Sequence, residues 1–225
     1  WMVENGYRQK RMSVDLLAKI AEVTGKPIKK LVEAGKWHII GGWFIQPDCN
    51  IPAGETIIRQ IMAGQRYFKK HFGVSPKVAI NFDTFGHSRG LVQILKQCGY
   101  MGYLYMRPEE IRQSLPSSSF YWEGFDGSKI LAHRLNGVYA ANMGKAVEKI
   151  NELVDKQSKD DIDVFCWGVG NHGGGPSHID LQGLNKWMED HPEWKPAHST
   201  PEAFFEDLDA DRKDYPVVDY DLRPV

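Results

Sequence analysis

The stretch from Pro76 to Ser88, Pro-Lys-Val-Ala-Ile-Asn-Phe-Asp-Thr-Phe-Gly-His-Ser, constrains this chain more than any other. Val78, Ile80 and Phe82 alternate with Lys77, Ala79 and Asn81, which is the two-residue period of a strand. The run ends at Asp83. Gly86 then supplies a turn, and Ser88 is placed to cap a helix carrying Leu91, Val92, Ile94, Leu95 and Cys98. Gly99 closes that helix. Asp83 therefore falls just past the carboxyl end of a strand, where strand gives way to helix. In open α/β sheets and in barrels, that rim is where chemistry is done.

The same unit recurs along the chain. Leu16, Leu17, Ile20, Ala21 and Val23 keep a helical period, restarted at Leu31-Val32 after Pro27, so 12–34 is predicted helical. An apolar strand over 37–44 is interrupted by Gly41-Gly42, and a loop to Gly54 follows. A helix over 55–72 turns Ile57, Ile58, Ile61, Met62 and Phe68 inward. A strand over 100–106 precedes a short helix opened by Arg107-Pro108-Glu109-Glu110. A hairpin pairs 120–123 with 129–135 across Asp126-Gly127. Then come a helix over 143–158, a strand over 163–167, the glycine-dense run 168–177, and a helix to Asp190. A short strand near Ala197, a helix from Thr200 and a strand over 217–222 finish the chain. Strand, loop and helix alternating about six times imply an α/β fold with a mostly parallel sheet and covering helices, open or closed into a barrel. The loops after successive strands carry Asp48, Asp83, Arg107, Tyr139, and Asn171 with His172. A parallel sheet would gather all of them on one face.

Each of these residues has a bland reading beside the chemical one. Asp83 is a turn carboxylate, or a carboxylate on which a ligand can sit, with Phe85 and Gly86 beside it. Asn171-His172-Gly-Gly-Gly-Pro permits close backbone approach before a helix N-terminus. It is not a phosphate loop, because no Lys-Ser/Thr follows the glycines. His172 stays open as acid/base, metal ligand or turn residue. His178-Ile-Asp180 has a spacing that can grip a metal, but it opens a helix, where Asp180 serves the dipole. His87 reads as a packed histidine and Cys166 as a buried hydrophobe. The net charge of −1 gives no electrostatic case for nucleic acid or an anionic membrane. No apolar run approaches the roughly 20 residues a spanning helix needs. Three widely spaced cysteines argue for reduced thiols and a cytoplasmic setting.

Gly41-Gly-Trp-Phe, Gly54-Glu-Thr-Ile-Ile-Arg-Gln, Gly64-Gln-Arg-Tyr-Phe and above all Asp83-Thr-Phe-Gly-His-Ser resemble glycoside hydrolase family 38, the α-mannosidases. The run Gly170-Asn-His-Gly-Gly-Gly-Pro-Ser is similar to the glycine-rich loop of that family's bacterial and cytosolic branch. The resemblance, from about Gly35 onward, implies a seven-stranded β/α barrel catalytic domain. Residues 1–225 would then be a single domain, most of that barrel, without its N-terminal edge or the domains that follow it.

The resemblance implies further that Asp83 is the nucleophile and a zinc ligand. It implies that Trp43, Phe85 and Tyr139 contact the sugar and that Arg107 supports the nucleophile. Asp48 and Asn171 belong to the same expected sugar site. The family's acid/base is a carboxylate on the loop matched by Gly170-Asn-His-Gly; none stands there, which leaves His172 or a carboxylate from elsewhere. The family's other zinc ligands, an early His-x-Asp and a late His, have no match here. The expectation is a retaining α-mannosidase acting on mannose-containing oligosaccharides, zinc-dependent as a whole enzyme, with this polypeptide metal-free and inactive alone. A homodimer is compatible with it. The rival readings are a catalytically silent mannoside-binding domain and, against the Gly-Gly-Trp and Phe-Gly-His context, a metal-dependent deacetylase.

Overall fold

The alternation in 78–81 separates two packed faces rather than core from water. In the computed structural model β1 (Val78–Asn81) is buried at all four positions. The structure describes residues 25–158, 161–170, 175–211 and 214–223. β1 pairs in parallel with β2 (Gly102–Tyr105), and β2 in parallel with β4 (Lys129–Arg134). β3 (Ser119–Glu123) runs antiparallel to β4, as the Asp126-Gly127 turn predicts, and parallel to β5 (Val217–Val218). The order is β1-β2-β4-β3-β5. Strands buried on both sides carry continuous apolar runs, as parallel sheets do.

Two apolar layers sandwich this sheet. On one face Ala79, Tyr103, Tyr105, Phe120, Trp122 and Ile130 pack with Ile57 and Ile61 of α2 (Gly54–Phe72) and with Leu91, Val92 and Leu95 of α3 (Gly90–Gln97). On the other, Val78, Ile80, Leu104 and Leu131 meet Phe204, Phe205 and Leu208 of α6 (Pro201–Asp211). Gly102 is what admits Phe205: a Cβ there would sit 2.4 Å from its ring. α4 (Ala146–Val154) and α5 (His178–Asp190) pack on each other through Ala146, Ile150, Leu184 and Trp187.

Several expectations are corrected. The α/β class and the mostly parallel sheet are as expected; among the described residues five strands form an open sheet, against the incomplete seven-stranded barrel that the resemblance implied. Segment 37–44 is not a strand, because Gly41 and Gly42 take φ of +83° and +79°, which breaks the extended run. Segment 163–167 has no ladder partner, and only the bridge from Ala141 to Val169 continues it. No strand forms near Ala197, and the last strand shrinks to two residues plus a bridge from His87 to Leu222. Glu109 begins a turn, accepting from the N–H groups of Arg112 and Gln113, rather than a helix. Of the helix expected over 12–34, residues 12–24 lie outside the described residues and α1 (Ile28–Glu33) is helical.

The paired glycines have a packing reason. Gly64 in α2 lies against the 42–44 backbone so closely that a Cβ would fall 2.4 Å from the Gly42 carbonyl oxygen. That approach lets the Phe44 N–H donate to the Gln60 carbonyl at 3.0 Å. It also presses Trp43 into the core, where its indole N–H donates to the Ile80 carbonyl at 2.8 Å, on the edge of β1. Gly64→Ala should cost about 1–3 kcal/mol through backbone that cannot give way. Gly90→Ala, whose Cβ would meet nothing closer than 3.5 Å, should change stability by less than roughly 0.5 kcal/mol. Urea midpoints of the two variants check this.

Glu202 anchors α6. Its carboxylate accepts from the Lys77 N–H at 3.1 Å and pairs with His38 at 2.8 Å. Burial raises the carboxyl, but the bonds from His38 and Lys77 outweigh it and the net shift is downward. A depressed folded-state value gives stability that is present above the ordinary carboxyl range and lost as pH falls through it. The stability advantage of wild type over Glu202→Gln should therefore shrink as pH drops below about 4, read from urea midpoints between pH 3 and 6.

Candidate active site

Asp83 leaves the end of β1 and meets Arg107, which leaves the end of β2, its neighbour in the sheet. Arg107 Nε donates to Asp83 Oδ1 at 2.7 Å. Arg107 Nη1 reaches Glu109 Oε1 at 2.5 Å, so one guanidinium holds two carboxylates. All three side chains are partly exposed. The Phe85 ring, 52% exposed, stands 5.6 Å from the Arg107 Cζ, within cation–π range.

Tyr139 closes the opposite side. Its ring stacks on Phe82 at 5.8 Å and 11°. Burial raises its phenol, the Asp83 charge raises it further, and Arg107 opposes the rise. Its loop is fastened twice: Ala141 N–H donates to the Gly168 carbonyl at 2.8 Å, and Lys149 Nζ reaches the carbonyls of Val138 and Cys166. Burial lowers the Lys149 ammonium. The glycine-rich run thus begins beside the Tyr139 loop. Asn171 and His172 lie outside the described residues.

The Asp48 loop docks on the Asp83 loop. Thr84 Oγ1 donates to the Pro47 carbonyl at 3.1 Å, and Asn50 Nδ2 to the Phe85 carbonyl at 3.1 Å. Asp48 Oδ1 accepts from the N–H groups of Asn50 and Ile51, an Asx turn that shapes the loop. Trp43 is only 4% exposed and stacks on Tyr100, so it backs the rim from the core.

Beneath the rim lies His87. Its Nε2 is 2.7 Å from the Arg107 carbonyl oxygen and its Nδ1 is 2.7 Å from the Tyr103 hydroxyl. Complete burial pushes the imidazole down to about 4, against the pull of the Arg107 carbonyl and the Asp48 charge. It is neutral at pH 7. Cys49, buried nearby, is pushed up to about 12, chiefly by burial, and is inert as a thiolate source.

Sequence reasoning brought Asp83, Phe85, Arg107, Tyr139 and Asp48 to one rim, and the structure brings them together. It missed Glu109, read as a helix opener; the signal available was a carboxylate two residues from the rim arginine. A cavity of about 1250 Å³ lies elsewhere, between the second sheet face, α4, α5 and α6. It is lined by Phe82, Trp167, Trp187 and Phe204 but by none of Asp83, Phe85 or Arg107. That cavity is separate from the rim of Asp83, Phe85 and Arg107.

The described residues do not by themselves assemble a zinc donor set. Among the described residues no three His, Cys, Asp or Glu side chains converge on a common point, and zinc needs about four ligands. His178-Ile-Asp180 is a cap, as its place at a helix start predicts. Asp180 accepts from the Ala146 and Gly144 N–H groups and from Ser177, which in turn caps α5.

Residues 18–221 match the family model described as the N-terminal domain of glycosyl hydrolases family 38. Human α-mannosidase 2C1 is 30% identical over 190 residues, covering 82% of this chain and 18% of the human protein. An α-mannosidase of Saccharomyces cerevisiae is 32% identical over 177 residues, covering 76% of this chain and 16% of the yeast protein. This chain thus spans less than a fifth of either relative. The crystal structure of an α-mannosidase from Enterococcus faecalis V583 superposes with a TM-score of 0.74 at 19% identity, covering 95% of this chain and 25% of that one. It shows the same fold.

The geometry at Tyr139 makes a prediction. Its phenol should titrate above the ordinary value of about 10, seen as the absorbance at about 295 nm that Tyr139→Phe removes. Asp83→Asn should bring that titration back down, because a negative neighbour is gone.

Proposed function

The chain belongs to glycosyl hydrolase family 38, and on that premise we propose that it forms the nucleophile side of the active site of a retaining α-mannosidase. The observation that carries this reading is the Arg107–Asp83 pair at the sheet rim, flanked by Phe85 and Tyr139. A nucleophilic carboxylate must be ionised, aimed and partly dry. Arg107 Nε donates to Asp83 Oδ1 and so fixes the carboxylate's aim. The bond from Arg107 falls on Oδ1, and in this proposal Oδ2 is the attacking oxygen.

In this proposal Asp83 attacks the anomeric carbon of an α-mannoside. The bond from that carbon to the leaving oxygen breaks through an oxocarbenium-like state, and a covalent glycosyl-enzyme forms. Water then attacks the same carbon, and Asp83 is released. A second group gives the leaving oxygen its proton and later takes one from water. Phe85 offers an apolar face to the ring, and Tyr139 and Asn171 are proposed to bind hydroxyls. Asp48 acts by shaping its loop, and Trp43 acts from behind. In this proposal Asp83 is the nucleophile and Arg107 its partner, and the acid/base role falls to His172 or to a carboxylate from elsewhere. Turnover by this chain alone is not expected.

One observation favours a second reading. The loop from Gly170 to Gly175 carries no carboxylate, which suits a domain that binds mannosides without cleaving them.

Asp83→Asn decides between the two, tested in the protein as the cell makes it with an activated aryl α-mannoside. The enzymatic reading expects hydrolysis with retention and a fall in kcat on the order of 10³ or more. Binding without hydrolysis by wild type supports the silent domain. A variant with near wild-type turnover sinks the nucleophile assignment.

A further inference from the structure

We propose that His87 is a positioning residue for the Asp83–Arg107 pair, holding the Arg107 carbonyl through an Nε2–H tautomer and thereby aiming the guanidinium. The inference rests on the reading of Asp83 and Arg107 as the reactive rim.

The direction of each hydrogen bond follows from chemistry. A carbonyl oxygen only accepts, so the 2.7 Å contact to Arg107 requires the proton on Nε2. Nδ1 is then an acceptor, and the Tyr103 hydroxyl, 2.7 Å away, donates to it. Tyr103 in turn accepts from Asn81 Nδ2 at 3.2 Å. The result is a one-way chain from Asn81 to Tyr103 to His87 to Arg107. Its first three members are fully buried. The fourth carries the guanidinium that bonds Asp83.

The His87 backbone is equally fixed. Its N–H donates to the Leu222 carbonyl at 2.8 Å, its carbonyl accepts from Leu222 at 3.0 Å, and it bridges Cys49. The ring is enclosed edge-on by Tyr103 at 5.6 Å and Tyr105 at 5.3 Å. Around it stand Cys49, Asn81, both tyrosines and the Arg107 carbonyl, and Asp48 is the one acidic charge it senses. A leucine would fill the space but leave a buried carbonyl and hydroxyl without partners. A glutamine would supply one acceptor and one donor in nearly the same place.

This distinguishes positioning from packing. In ¹⁵N-labelled wild type, His87 should be neutral and protonated at Nε2 at pH 7. The Arg107 Nε–H should show a slowly exchanging resonance. His87→Gln should keep that protection within about twofold, and His87→Leu should speed exchange by about tenfold or more. Protection retained in both variants, or lost equally in both, overturns the proposal. So does an Nδ1–H or doubly protonated ring in wild type, which decides the matter even if His87→Leu does not fold. In the active protein, His87→Leu should lower kcat more than it changes KM, and His87→Gln should restore it. A wild type without mannosidase activity would overturn the function proposed above and leave the NMR result to judge this inference.

Discussion

The rim depends on a buried imidazole that cannot afford a charge. His87 sits where the segments holding Cys49, Asp83, Arg107 and Leu222 converge, and both ring nitrogens are committed to neutral partners. Desolvation disfavours the imidazolium, and no carboxylate touches the ring to recover the cost. A neutral ring has one donor and one acceptor, so it imposes direction on the bonds around it. That direction passes outward to Arg107, whose guanidinium bonds Asp83 and Glu109.

A second constraint comes from backbone approach. Gly42 and Gly64 let a loop and a helix touch main chain to main chain, and this drives Trp43 against the edge of β1. The Ile80 carbonyl on that edge is thereby bonded by an indole rather than by another strand. An edge left bare would invite pairing with other chains. Further along, hydrogen bonds from Thr84 Oγ1 to Pro47 and from Asn50 to the Phe85 carbonyl hold the next loop over Thr84 and Phe85. Stability and site geometry are therefore carried by the same few residues.

Electrostatics at the rim are local. Arg107 joins two carboxylates, Asp83 and Glu109, and all three side chains are partly wet, so the pair is screened and its worth lies in geometry. The strongly perturbed groups, His87, Cys49 and Tyr103, lie below it in the core. The carboxylate at the strand end, with its cation and its aromatic neighbours, is partly exposed, whereas those three groups are buried.

The sequence by itself determined the β1–α3–β2 unit, the hairpin of β3 and β4, the helix over 55–72, and the placing of Asp48, Asp83, Phe85, Arg107 and Tyr139 in loops on one side. Alternation, glycine stops and the parallel-strand rule act over short stretches, so a linear reading reaches them. It did not determine that 37–44 bends away at Gly41-Gly42, that 163–167 lacks a partner, that Trp43 is buried, or that Glu109 shares Arg107. Those depend on which backbone groups find partners distant in the chain. Tertiary packing alone decided them, because a hydrogen bond between residues 43 and 80, or between 87 and 222, exists only once the whole sheet and its covering helices have assembled.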